Sequence, residues 1–166
     1  MSTLYVDTIN EKTSGNGVQI PGHVVQVVEG TAYSSEQTVS ASSYTAFSVT
    51  ASITPKFSNS KIYIICHGSC MVYNSGGADA RGRLAISSDS GSSFLLEKDV
   101  RIYGYDGTGH ILIVPFSLHY FDTPNSTSTQ TYTLYGKNAV GTGLRLNDDG
   151  LGAGNTTQIF AMEIAQ

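Results

Sequence analysis

The stretch KIYIICHGSCMVY, Lys61 to Tyr73, decides how the chain is read. Taken as a strand, it puts Ile62, Ile64, Cys66, Gly68, Cys70 and Val72 on one face. Tyr63, Ile65, His67, Ser69, Met71 and Tyr73 fall on the other. Its first half is apolar on both faces, the pattern of a central strand buried on two sides. The Ile and Tyr enrichment, Gly68 and the turn-rich flanks PKFSNS and NSGG favour strand over helix.

Outward from that run, strand-like segments recur at near-regular intervals. On the N-terminal side they are His23–Val28 and Tyr44–Ile53, the latter with Phe47, Val49 and Ala51 on one phase. On the C-terminal side come Arg81–Ser87, Phe94–Tyr103, Ile111–Phe121, Tyr132–Asn138 and Gln158–Ile164. Ile111–Phe121 is expected to be a second core strand, because Leu112, Val114, Phe116, Leu118 and Tyr120 share a face. Pro115 inside it cannot donate to a ladder and marks an edge strand or a bulge. No segment carries a 3.6-residue apolar stripe. The expected fold is all-β, a single antiparallel β-sandwich of jelly-roll type with a short N-terminal β arm. Polar loops lie between the strands, and 141–157 reads as the longest, with a turn at Asn147-Asp148-Asp149-Gly150.

Residues 1–22 read as an assembly or anchoring arm, and 23–166 as the sandwich. Leu4, Tyr5, Val6 and Ile9 form one short apolar run and Val18 and Ile20 a second, separated by the turn signal Ser14-Gly15-Asn16-Gly17. Two such strands are marginal alone in water and need an outside surface. Pro21-Gly22 marks the boundary.

At 166 residues the chain can bury one substantial core. Charged residues make up 13 %, about half the usual share, and the net charge is −4. The nine Lys and Arg are scattered, which argues against a nucleic-acid partner. No window is apolar enough for membrane insertion, which takes about 20 residues. MSTLYVDTINEK has an early acidic residue and no apolar core region, so no signal peptide is expected. Cys66 and Cys70 on one strand would stand about 13 Å apart. A disulfide needs Cα atoms within about 7 Å, so both are expected to be buried free thiols.

Catalytic patterns are absent. There is no Gly-x-Ser-x-Gly elbow, no close His pairing for zinc and no alternating acidic calcium loop. Asp148 and Asp149 are adjacent and would point apart, unlike the facing carboxylates of a glycosidase. The chain is expected to be no enzyme and to need no metal or cofactor. One loop suits surface recognition of a sugar or protein: Arg101, Tyr103, Tyr105 and Asp106 beside glycines. Plain packing of Tyr103 and Tyr105 on one strand face accounts for the same residues.

Three stretches carry a resemblance. STLYVDTINEKTSGNGVQIPG at the start, SITPKFSNSKIYI in the middle and IFAMEIAQ at the end resemble tail-fibre-like and other virion structural proteins of tailed bacteriophages, notably marine ones. The resemblance implies an all-β virion component, usually a homotrimer, assembled in the host cytoplasm without a signal peptide. It implies contacts with other virion proteins and, for a fibre or tip, with a host cell-surface glycan or protein. The absence of a repetitive shaft leaves a small fibre tip or a capsid decoration or head-fibre protein as the roles to separate. A polysaccharide-binding or -degrading tailspike is the more distant alternative.

Overall fold

A computed structural model of the chain describes residues 8–10, 14–15, 17–76, 79–103, 110–148 and 155–166. These residues contain ten strands and no helix. In chain order they are β1 (Val24–Glu29), β2 (Gln37–Val39), β3 (Thr45–Ile53), β4 (Lys61–Asn74) and β5 (Asp79–Ser87). β6 (Leu96–Tyr103), β7 (His110–Asp122), β8 (Gln130–Val140), β9 (Gly143–Leu146) and β10 (Gln158–Ile164) follow.

Two antiparallel sheets form a sandwich. One is four-stranded, in the order β3-β8-β5-β6. The other is six-stranded and centred on β4. The whole of β4 pairs with β7 along one side. Along the other side it pairs first with β10 and then with β9, so these two shorter strands share its length end to end. β1 and β2 flank β10 and β9. The pairing nests: β5 with β6, β4 with β7, β3 with β8 and β1 with β10. The eight long strands are one long hairpin rolled into two sheets, the jelly-roll arrangement.

The core lies between the sheets. Phe47, Val49, Ala51 and Ile53 face it from β3, Ile62, Ile64, Cys66, Cys70 and Val72 from β4, and Leu84 and Ile86 from β5. Each set keeps the period of two that the sequence shows. Gly68 falls on the same inward phase of β4, where a Cβ would come within 2.1 Å of Thr157 Oγ1. Cys66 and Cys70 are free and buried, and burial pushes both thiols up to about 12. Asn147 takes a positive φ of 60° at the end of β9, as its turn signal implies. Its side chain donates to the carbonyls of Tyr33 and Ser35 and accepts from the buried Thr157 hydroxyl.

Three expectations are corrected. The segment 141–157 holds strand β9, whose Leu144 and Leu146 are fully buried. Only four residues long and set among glycines, it has no readable period. Ile111–Phe121 is not among the most buried strands: Ile111 is 64 % and Phe121 56 % exposed. β7 pairs only with β4 and is an edge, as Pro115 signalled, so half its apolar residues point out of the sandwich. Nor is β4 buried on both faces, since Tyr63 and Ile65 are half-buried and His67 is exposed.

Candidate functional site

The described part of the arm meets the sandwich at one pole. Ile20-Pro21-Gly22-His23 is a type II turn closed by a 3.0 Å bond from His23 N to Ile20 O. Pro21 pre-sets the first central residue, and Gly22 supplies the required positive φ of 85°. The turn folds residues 17–20 back toward β1. Gln19 Nε2 donates to Asn59 Oδ1 at 3.0 Å and to the Gln166 carbonyl at 3.1 Å. Gly22 N donates to Ala165 O, and Ala165 N to His23 O, which extends the β1–β10 pairing to the end of the sequence.

Beneath these contacts lies Glu163, a fully buried carboxylate. It belongs to the inward phase of β10, with Ile159 and Ala161. Lys56 N donates to both its oxygens at 2.9 Å and Phe57 N to Oε1 at 3.0 Å. The Ser60 hydroxyl donates at 2.8 Å and Gln26 Nε2 at 2.6 Å. Burial works to raise its pKa. The Lys56 amide, Gln26, Ser60 and the Phe57 amide outweigh burial and hold the carboxyl below its ordinary value. A carboxylate held by backbone amides is a structural clamp, fastening the turn before β4 to β10 and β1.

Of the arm residues, Ile9 is 59 % and Val18 37 % exposed, while Ile20 is half-buried. Leu4, Tyr5 and Val6 lie outside the described residues. In the recognition loop, Arg101 is on β6 and makes a two-pronged bond to Asp79 at 3.0 Å through each nitrogen. Tyr103 ends the same strand opposite Asp79. Tyr105 and Asp106 lie outside the described residues, so the four are not seen together. Beside them Arg83 bridges Glu97 and Asp99, and Tyr44 donates to Glu97 at 2.7 Å. Lys137 sits 4.3 Å over the Tyr44 ring.

Two further features have chemical interest. Ser117 Oγ is 2.8 Å from His119 Nε2, and His119 Nδ1 is 2.8 Å from Tyr63 Oη. Such a pair resembles a Ser–His dyad, but a phenol stands where a carboxylate would hold the imidazolium charge. It lies on an open sheet face, and the β4 amides beneath it are committed to the ladders. The second is a cleft of about 330 Å³ at the β6–β7 edge. It is lined by Lys98 and Val100 from β6 and Leu112, Val114 and Phe116 from β7. Among the described residues, no group of three His, Cys, Asp or Glu is placed to hold a metal ion. No described helix is long and apolar enough to cross a membrane.

Glu163, Gln19 and Asn59 were missed by sequence reasoning. One signal existed: Glu163 occupies the inward phase of an otherwise apolar alternation, where a carboxylate must find several donors.

No protein-family model and no curated protein matches the chain. Among solved structures it is similar to a chain of the infectious bursal disease virus T13 particle, at 12 % identity and a TM-score of 0.33. That likeness covers 98 % of this chain and 40 % of the viral one. The VP2 subviral particle of the same virus is similar at 14 % identity and a TM-score of 0.33, over 85 % and 38 % of the two chains. An arabinose-bound α-L-arabinofuranosidase is similar at 11 % identity and a TM-score of 0.31, over 87 % and 24 %. The chain thus spans well under half the length of these proteins. At such scores no activity or partner carries over from one to another.

Proposed function

We propose that the chain is a non-enzymatic structural subunit of a virus particle: a small homotrimeric tail fibre or fibre tip of a tailed phage, contacting the host surface. Residues 1–22 are its assembly and anchoring arm and 23–166 its sandwich. The observation that carries this reading is the convergence of the three resembling stretches at one pole. Gln19 from the first reaches Asn59 from the second and Gln166 from the third. Lys56, Phe57 and Ser60 from the second hold Glu163 from the third. The resemblance therefore falls on one contiguous unit, the place where the arm joins the body, and other virion proteins are its partners there.

A capsid decoration or head-fibre role is the second reading, supported by described residues that form a two-sheet sandwich. Electron microscopy of intact particles with a labelled chain separates the two. Label at the tail tip is the expected result, and label on the capsid selects the second reading. Absence from purified particles overturns both. Purified protein should sediment as a trimer at micromolar concentration, and deletion of residues 1–22 should weaken trimerisation or particle attachment while the sandwich stays folded. Turnover of host polysaccharide, abolished by changing one carboxylate, would instead make it a tailspike-type enzyme.

A further inference from the structure

The outward face of β4 belongs to a wider surface. By register, Phe121, Tyr63, Met162 and Val27 form one row across β7, β4, β10 and β1. The next row is His119, Ile65, Phe160 and Glu29. Among the described residues, seven large apolar side chains are exposed. Five of them, Val24, Val27, Ile111, Ile113 and Phe121, are on this face, and the other two, Ile9 and Val18, are in the arm. The outer face of the four-stranded sheet is the opposite in character, carrying Asp79, Arg83, Glu97, Asp99, Arg101 and Lys137. One side of the sandwich is built for water. The other joins exposed apolar side chains to fewer charges, Glu29, Lys61 and, at its β9 end, Arg145 paired with Glu36 and Asp148, and apolar surface of this kind marks contact sites.

We propose that this face is the contact surface between copies of the chain, three of which turn their six-stranded sheets inward around a three-fold axis. The inference rests on the self-association in the function proposed above and assigns its surface to the sheet. The sheet is four strands wide along the fourteen residues of β4. Such a face measures about 19 by 46 Å, or roughly 900 Å². Around a three-fold axis each face is shared between two neighbours, about 450 Å² to each, and the trimer buries about 2,700 Å² in all. With edge strands of adjoining sheets no closer than about 4.8 Å, three such sheets form a triangular prism with sides of about 24 Å, its axis about 7 Å from each sheet and within reach of inward side chains. The described residues 17–22 turn at β1, whereas Ile111 and Ile113 are on β7, at the opposite edge and the far end of the sheet.

The test is sedimentation velocity on the full chain and on Val27→Lys and Phe121→Lys. Both residues are more than half exposed in the single chain, so neither change should unfold it. Ser52→Lys, on the outer face of β3, is the control. Wild type and Ser52→Lys are expected to sediment as trimers, while each face variant associates about a hundred-fold more weakly with an unchanged circular dichroism spectrum. Trimers that persist in both face variants would overturn the assignment of the surface and leave self-association standing. A monomeric wild type would overturn the surface and the self-association together. A dimer dissolved by the same substitutions would overturn the three-fold arrangement. Particle location, measured separately, tests the virion reading whatever the outcome here.

Discussion

Replacing Glu163 should be among the most damaging changes outside the apolar core. In Glu163→Ala, four donors lose their acceptor at once: two amides, a hydroxyl and a carboxamide. Lys56 is exposed and Phe57 half-buried, so their amides can recruit water, but Ser60 is buried. Counting two groups left unsatisfied at about 1–3 kcal/mol each, the expected loss is about 2–6 kcal/mol. Glu163→Gln keeps the shape and one acceptor oxygen but sets an NH₂ against donors and removes the charge, for a loss of roughly 2 kcal/mol. The two forms also differ in their response to acid. The folded carboxyl titrates below an unfolded one, which has a pKa of about 4.3, so the folded state binds fewer protons. Its stabilisation is fully present above the unfolded value and is lost as pH falls through the folded one. The glutamine has no proton to gain. Urea unfolding at fixed protein concentration should show the widest gap between wild type and Glu163→Gln at neutral pH, narrowing on acidification below about 4. A gap that is constant with pH, or an alanine variant within about 1 kcal/mol of wild type, would refute the clamp.

Ile64→Asp places an unpaired carboxylate at a fully buried position and should cost more than about 4 kcal/mol, read as loss of cooperative unfolding; a stable, soluble variant would contradict the assigned core. Gly68→Ala brings a Cβ to 2.1 Å from Thr157 Oγ1 and 3.0 Å from Thr157 Cα, so it should lose about 1–3 kcal/mol and break the Thr157–Asn147 bond. Thermal melts that coincide with wild type would show that this contact gives way freely. Cys66 and Cys70, with thiols pushed up to about 12, should resist a thiol reagent in the native state at mildly alkaline pH and react fully once urea unfolds the chain. Rapid native labelling of either would mean the β4 core opens.

The sheets were legible where residues alternate cleanly. Phe47, Val49, Ala51 and Ile53 announce their phase because Ser48, Thr50 and Ser52 between them are polar. The reading went astray where both phases are apolar. In β7, Leu112 and Val114 face the core while Ile111 and Ile113 face outward, and hydrophobicity alone does not distinguish a surface covered by the same chain from one left for another molecule. β9 escaped because Gly143–Leu146 is too short to show a period. The clamp escaped for a different reason. Its partners lie 103 to 107 residues from Glu163 for the β4 turn, and 137 for Gln26, and no local pattern joins positions so distant. The resemblance had picked out the same segments without indicating that they touch. Of the proposed recognition residues, the sequence placed Arg101 and Tyr103 correctly at the end of a strand, but the ion pair with Asp79 depends on the β5–β6 register.

The position of β10 has a consequence for synthesis. β10 is the last strand of this sequence, yet it lies inside the six-stranded sheet, between β1 and β4. While the ribosome is still adding residues before 158, β1 has no neighbour to pair with and Glu163 does not yet exist to organise the turn at Lys56. The jelly roll therefore closes only after translation of β10, and until then the Lys61–His67 edge of β4 stays open as a row of unpaired amides and carbonyls. Chains cut short before residue 158 should therefore be unable to join β1 to β4 and reach this fold.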